Sequence, residues 1–193
     1  RTDILVGTQM ITKGFDFAGV SLVGILNADN LLNNPDFRAA ERAFQLMMQV
    51  AGRAGRRDDG GEGVIQTSEP GHPVIRQVAA GDFEGMARAQ LAERKAFFYP
   101  PYARLTSLTL RHRDPSVLRN GVMDLAARLR TRFGRRLLGP MTPPVDRIRE
   151  EYITEFLLKI ESGASASRAR EVLREVLRQT LGAKEFQTVT LSC

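Results

Sequence analysis

Leu22-Val23-Gly24-Ile25-Leu26 is a short apolar run set between polar and turn residues. A run of this length with no polar alternation predicts a strand covered on both faces, as in a parallel sheet. Downstream, Asn34 stands where it can cap a helix whose first turn holds Pro35 and Asp36. Phe44, Met47, Met48 and Ala51 then fall at the i, i+3, i+4, i+7 spacing of one apolar face. Val64-Ile65 is the next strand candidate, after the turn residues Asp58-Asp59-Gly60-Gly61, and Ile4-Leu5-Val6 is the preceding one. Short apolar runs alternating with helical pattern make this half α/β, a parallel sheet covered by helices. A sheet entered at an interior strand leaves an unpaired edge.

Two further helices are predicted over 72–80 and 82–97, the second with Asp82 as N-cap, and Pro100-Pro101 stops the pattern. The domain boundary is set there, giving domains 1–100 and 101–193. The second half reads as a strand at 104–110, then a helix at 116–133 with Leu118, Val122, Leu125, Ala126 and Leu129 on one face. An irregular strand over 137–147 is broken by Pro140, Pro143 and Pro144, and another strand covers 152–160. A helix capped by Ser165 or Ser167 turns Ala169, Val172, Leu173, Val176 and Leu177 inward, and a last strand runs over 186–191. The order β-α-β-β-α-β is the ferredoxin-like arrangement, an α+β domain.

With 42% hydrophobic and 26% charged residues in 193, the composition excludes a disordered chain. No apolar run approaches the roughly 18 residues of a membrane span, so no membrane partner is expected. The chain opens on Arg1-Thr2-Asp3, with neither Met nor a signal-like stretch, and reads as part of something longer. Cys193 is the one cysteine, which rules out an internal disulfide or a cysteine-rich zinc site within this chain and makes a reducing cytoplasm the default. The net charge is +6, and residues 111–136 hold eight arginines against Asp114 and Asp124, which accounts for the whole excess. Such clustering suits a phosphate backbone; a solvated helix face in an arginine-rich composition is the plainer alternative.

Two segments carry chemistry. Gly7-Thr8-Gln9-Met10-Ile11-Thr12-Lys13-Gly14-Phe15-Asp16-Phe17 follows a strand candidate, at the end of a parallel sheet where ligands bind. A hydroxyl there can bond a phosphate, Gly14 admits close backbone approach, and Asp16 can accept a hydrogen bond or hold water. An ordinary strand-to-loop transition reads the same way. The second segment is Gln49-Val50-Ala51-Gly52-Arg53-Ala54-Gly55-Arg56-Arg57. If helical geometry persists, Gln49, Arg53 and Arg56 project from one side among small residues, with no carboxylate between Glu41 and Asp58. Arginine's planar, permanently charged fork suits phosphate oxygens. A basic helix end complementing its own dipole would explain Arg56 and Arg57 but not Gln49 with Arg53.

Thr8 through Phe17 resembles motif V of superfamily 2 helicases, and Gln49 through Arg56 resembles their motif VI, in the same order. Gly7-Thr8-Gln9-Met10 before Lys13-Gly14, Asp36-Phe37-Arg38-Ala39-Ala40-Glu41-Arg42, and Leu91-Ala92-Glu93-Arg94 followed by Pro100-Pro101-Tyr102 resemble the PriA family in particular. The resemblance implies the C-terminal part of an ATP-dependent DNA helicase that acts at stalled or branched replication forks and initiates primosome assembly. It implies a second RecA-like lobe over 1–100, with ATP and Mg2+ shared with a missing first lobe. Arg53 and Arg56 would face that nucleotide, one as arginine finger, with Gln49 sensing the γ-phosphate. Gly14 and Asp16 would line the cleft, and Thr8 would contact the DNA backbone. No Walker A loop occurs in the sequence, so this chain alone is not expected to hydrolyse ATP.

The family's zinc-binding cysteines would lie upstream, so this chain is expected to bind no metal. Implied partners are forked and single-stranded DNA, the single-stranded DNA-binding protein and other primosome proteins. In the second domain Glu150, Glu151 and Glu155 dilute the positive field where many relatives are Trp-rich and basic. Tyr152 and Phe156 read as core or sheet-face residues. Arg128, Arg132, Arg135 and Arg136 are therefore the expected fork-DNA contacts. His72 and His112 have no ligand-spaced companions. Two rival readings are a catalytically inert nucleic-acid or protein-binding module and a superfamily 2 helicase acting on RNA.

Overall fold

The computed structural model describes residues 3–8, 20–54 and 61–192. The chain divides into two compact units, Arg1–Glu93 and Arg94–Cys193. Together they are a mixed helix and strand structure with one small parallel and one antiparallel sheet.

In the first unit, strands β1 (Leu22–Ile25) and β2 (Glu62–Ile65) pair in parallel, from Leu22 opposite Glu62 to Ile25 opposite Ile65. Helices α1 (Asp29–Leu32) and α2 (Ala39–Ala51) lie between them, and α3 (Pro73–Ala80) and α4 (Phe83–Ala96) follow. Phe44 and Met47 of α2, Val74, Ile75 and Val78 of α3, and Met86 of α4 form the core, with Ile25 and Ile65 packed on it from the strands. The strands are covered on one face rather than two: Leu22 is 58% and Val64 49% exposed.

The expected strand at Ile4-Leu5-Val6 is not formed; these residues are exposed and irregular. Strand geometry leaves a backbone N–H and C=O to be paired at every residue, and no ladder partner for 4–6 is present among the described residues. Asn34 does not cap the helix either. Its Oδ1 accepts the Asp36 N–H, and Asp36 Oδ1 in turn accepts the Arg38 N–H. Such side chains close turns on the backbone two residues ahead, and two in succession delay the helix to Ala39. Asp82 does cap α4, its Oδ1 accepting the Gly85 N–H at 2.8 Å. His72 caps α3 through Nδ1, which accepts the Val74 N–H. The turn expected at Asp58-Asp59-Gly60-Gly61 lies, but for Gly61, outside the described residues.

The second unit contains β3 (Ala103–His112), α5 (Pro115–Phe133), a 3-10 turn (Gly134–Arg136), β4 (Leu137–Met141), β5 (Arg147–Ile148), β6 (Glu151–Glu161), α6 (Ala166–Leu181) and β7 (Thr190–Ser192). The sheet order is β4-β6-β3-β7, every pairing antiparallel, with β5 a short addition on β6. With two central strands that are first and third among the four main ones, this is the ferredoxin-like arrangement. Leu108 and Leu110 alternate on β3, and Phe156, Leu158 and Ile160 on β6, so one sheet face is apolar. Leu118, Val122, Leu125, Ala126 and Leu129 of α5 cover it with Leu173 and Val176 of α6. Each fully buried leucine contributes about 1.5–3 kcal/mol by leaving water. Asp114 and Ser165 cap the two helices, accepting from Ser116 N–H and Arg168 N–H respectively.

The last strand is shorter than the 186–191 reading. Phe186 sits in a second 3-10 turn (Lys184–Phe186) with its ring buried against α5, where a Cβ added at Gly121 would lie 3.3 Å from Phe186 Cδ1. Burying that ring holds the segment off the ladder until Thr190.

Candidate functional site

In the first unit the two ends of the parallel strands carry different chemistry. At the carboxyl ends, Ala28 N–H donates to Gln66 O at 3.0 Å and Gln66 N–H to Ile25 O at 2.9 Å, so the two outgoing segments are laced together. Asp29, the first residue of α1, then bridges them. Its Oδ1 accepts from the Thr67 hydroxyl, and its Oδ2 from the Ser68 N–H at 2.9 Å and the Ser68 hydroxyl at 2.6 Å. The Ser68 and Thr67 hydrogen bonds, with His72 as a minor charge, hold the Asp29 carboxyl below the usual aspartate range. Sequence reading missed this bracket; the only signal was an Asp just past one strand and a Thr-Ser pair just past the next.

The opposite end belongs to the end of α2. A Cβ added at Gly63, the second residue of β2, would stand 3.7 Å from Ala51 Cβ, so α2 finishes beside the amino-terminal half of that strand. A four-residue strand spans about 10 Å between its end residues, which separates this end from the Asp29 bracket. Gln49 is exposed and Arg53 half-buried. Helical geometry does not continue through Arg53. It stops at Ala51, and Arg53 N–H and Ala54 N–H donate to Val50 O and Ala51 O, three residues back, in a tightened turn. Gly52 lets the chain leave the helix without a side chain to place. The donor types in this segment, a guanidinium and an amide among small residues, suit an anionic phosphate rather than a cation. Arg56, Gly14 and Asp16 lie outside the described residues; Thr8 is exposed in an irregular segment.

In the second unit six of the eight arginines of residues 111–136 stand on the solvent side of α5 and the turn after it. Arg128 Nε donates to Asp124 Oδ2 at 2.8 Å, one helical turn back. Arg136 Nε donates to both Glu161 oxygens, at 2.9 and 2.8 Å. This contact holds the Glu161 carboxyl below its usual range and raises the Arg136 guanidinium above its own. Arg130, which the sequence did not single out as a site residue, donates to Gly139 O at 2.8 Å. Arg132 and Arg135 are exposed and hold no ion pair among the described residues. Phe156 is fully buried and Tyr152 packs against the core. His112 is held by its own strand-to-helix turn, Nδ1 against the Asp114 backbone and Nε2 2.9 Å from Thr188 Oγ1.

Among the described residues no cluster of three or more His, Cys, Asp or Glu could hold a metal ion. No described helix is long and apolar enough to cross a membrane.

The family model of the primosomal protein N C-terminal domain matches residues 95–192, just over half of the chain. This chain belongs to the PriA C-terminal-domain family. The match starts one residue past the start of the second compact unit, and likeness to PriA proteins extends well before it. The replication restart protein PriA of Bacillus subtilis is 37% identical over 186 residues, 95% of this chain and 23% of its own length. PriA of Treponema pallidum is 42% identical over 164 residues, 84% of this chain and 25% of its own. PriA of Synechocystis is 39% identical over 164 residues, 84% of this chain and 20% of its own. The chain thus spans about a quarter of the length of these PriA relatives.

Proposed function

We propose that this chain is the C-terminal part of an ATP-dependent DNA helicase of the PriA type, working in replication restart at stalled or branched forks and initiating primosome assembly. The observation that carries the reading is the succession, in one chain, of the α2 end with Gln49, Arg53 and Arg56 and the PriA C-terminal domain. In this reading 1–100 belongs to a second RecA-like lobe and 101–193 to a fork-engaging domain.

Arg53 and Arg56 neutralise charge at the terminal phosphate of an ATP held, with Mg2+, by the lobe that supplies the Walker A loop. Gln49 hydrogen-bonds the same phosphate, and Gly14 and Asp16 line that cleft. ATP supplies the free energy that drives opening and closing of the two lobes. What this chain's residues do is orient and bind: the segment that follows α2 carries the cations, and the same lobe carries the Thr8 contact to the DNA backbone. Closure onto nucleotide therefore moves the strand contact. Arg128, Arg132, Arg135 and Arg136 meet fork phosphates, and the single-stranded DNA-binding protein and other primosome proteins are the proposed protein partners. Zinc belongs to the part of the parent outside this chain.

The test is ATP turnover by the full-length parent with Arg56→Ala and, separately, Arg53→Ala. One of the two lowers turnover roughly a thousandfold or more while DNA affinity is largely kept. Unchanged turnover in both variants overturns the assignment.

A further inference from the structure

We infer that Phe97 and Phe98 form a stacking platform for the bases of single-stranded DNA. The inference rests on the proposed DNA-binding role and adds a site to it. Helix α4 ends at Ala96, and the Tyr99 N–H reaches back to Arg94 O at 2.8 Å, five residues earlier. That long bond marks a helix stop in which the residue before Tyr99 adopts the left-handed conformation, a place filled in most proteins by glycine. Here it is Phe98, with φ of 54°. A bulky side chain in that region strains the backbone, and the strain is not balanced by burial of the ring. Phe98 is 55% exposed and its neighbour Phe97 62%. Two adjacent phenyl rings are thus held out in solvent by a backbone that glycine would suit better, which points to a use outside the fold itself.

The surroundings select nucleic acid over an apolar protein surface. From residue 94 to 107 there is no carboxylate, whereas Arg94, Lys95 and Arg104 fall within that run. Lys159 Nζ donates to Phe97 O at 2.8 Å and lies 3.6 Å from the centre of the Tyr99 ring, which fixes the segment and brings another cation beside it. Exposed aromatic faces with cations around them are what unpaired bases and their phosphates require, and stacking needs no particular base.

The test measures binding of the whole 193-residue chain to a labelled oligothymidylate and to an abasic strand of equal length. Phe98→Gly relieves the left-handed residue, so its melting temperature stays level or rises. Its affinity for oligothymidylate falls roughly 5- to 100-fold, its affinity for the abasic strand is unchanged, and the slope of affinity against salt is unchanged, because no phosphate contact is lost. Phe98→Trp keeps wild-type affinity. Full oligothymidylate affinity in Phe98→Gly overturns the platform and leaves an apolar protein partner as the use of the rings. A lowered melting temperature, or equal loss on the abasic strand, overturns it as well. If the wild-type chain binds neither strand, both the platform and the DNA-binding reading of this chain fail, whereas normal binding insensitive to Phe98 removes the platform alone.

Discussion

Arg136 and Glu161, 25 residues apart in sequence, meet with the guanidinium Nε 2.9 and 2.8 Å from the two carboxylate oxygens. The contact ties the turn after α5 to the end of β6, and it occupies one of the arginines assigned to DNA. Glu161→Gln therefore releases a cation. The variant binds DNA more tightly at low salt, and its affinity falls more steeply with salt, the slope growing by about one. Anisotropy titrations at several salt concentrations check this.

The same pair has a pH signature. Its hydrogen bonds depress the Glu161 carboxyl, so its contribution to stability is present above the unfolded pKa and is lost as pH falls through the lower folded value. Wild type is thus more stable than Glu161→Gln at neutral pH, and the gap closes below the usual glutamate range. The three tyrosines, Tyr99, Tyr102 and Tyr152, all lie in the second unit and the chain has no Trp, so tyrosine fluorescence follows this unit alone.

Asp29 is depressed in the same direction, first by the Ser68 hydroxyl and then by Thr67. Its bracket contributes above the unfolded aspartate pKa and disappears with acid below it. Asp29→Asn loosens the junction of the two outgoing strand ends, and amide hydrogen exchange speeds up at Asn27, Ala28 and Gln66 at neutral pH. In wild type the same amides gain exchange relative to the rest of the first unit only as pH falls below the usual aspartate range, through the lower folded value. Unaltered protection of these amides in the variant would show that the bracket does not hold the strands together.

The helices over the second sheet were legible because burial imposes a 3.6-residue period: Leu118, Val122, Leu125, Ala126 and Leu129 mark the buried face of α5 directly. Strands β3 and β6 were legible for a similar reason, since Leu108 and Leu110 alternate on one and Phe156, Leu158 and Ile160 on the other. What could not be read were pairings between distant residues. Ile4-Leu5-Val6 has a strand's composition, but a strand exists only through partners, and composition does not supply them. The start of α2 moved from Asn34 to Ala39 because two side chains capture backbone N–H groups locally, a competition that periodicity does not register. At the site, the positions of the arginines were plain from sequence. That Glu161 occupies Arg136 and Gly139 O holds Arg130, whereas Arg132 and Arg135 face solvent, depended on the turn geometry. Nothing in the letters Phe97-Phe98 marks a left-handed residue.

Gly139 is a position where the backbone admits no other residue. Its φ is 102°, and a Cβ there would stand 2.8 Å from Glu155 O and 3.2 Å from Phe156 Cδ1. The register of β4 on β6 shifts between Leu138 and Met141, so the glycine forms a bulge that brings the strand against its neighbour. Gly139→Ala meets both a forbidden φ and a backbone clash, and lowers the stability of the second unit by about 2 kcal/mol or more. Denaturant titration followed by tyrosine fluorescence measures it; a change within about 0.5 kcal/mol would mean the bulge relaxes at no cost.

Thr180 presents the opposite case, a substitution that stabilises. It is fully buried on the inner face of α6, and its Oγ1 has no hydrogen-bond partner among the described residues. A buried hydroxyl without a partner has lost its water and received nothing in return, at a cost of about 1–3 kcal/mol. Valine has the same branched shape, so Thr180→Val removes the polar atom without opening a cavity. The variant gains about 1 kcal/mol, read as a higher denaturation midpoint at unchanged denaturant sensitivity. Thr180→Ala separates shape from polarity: it also removes the hydroxyl but leaves a methyl-sized void, and the expected gain is reduced or reversed. Loss of stability in both variants, by similar amounts, would mean that the hydroxyl is satisfied in solution and that the buried oxygen contributes to holding α6 in place.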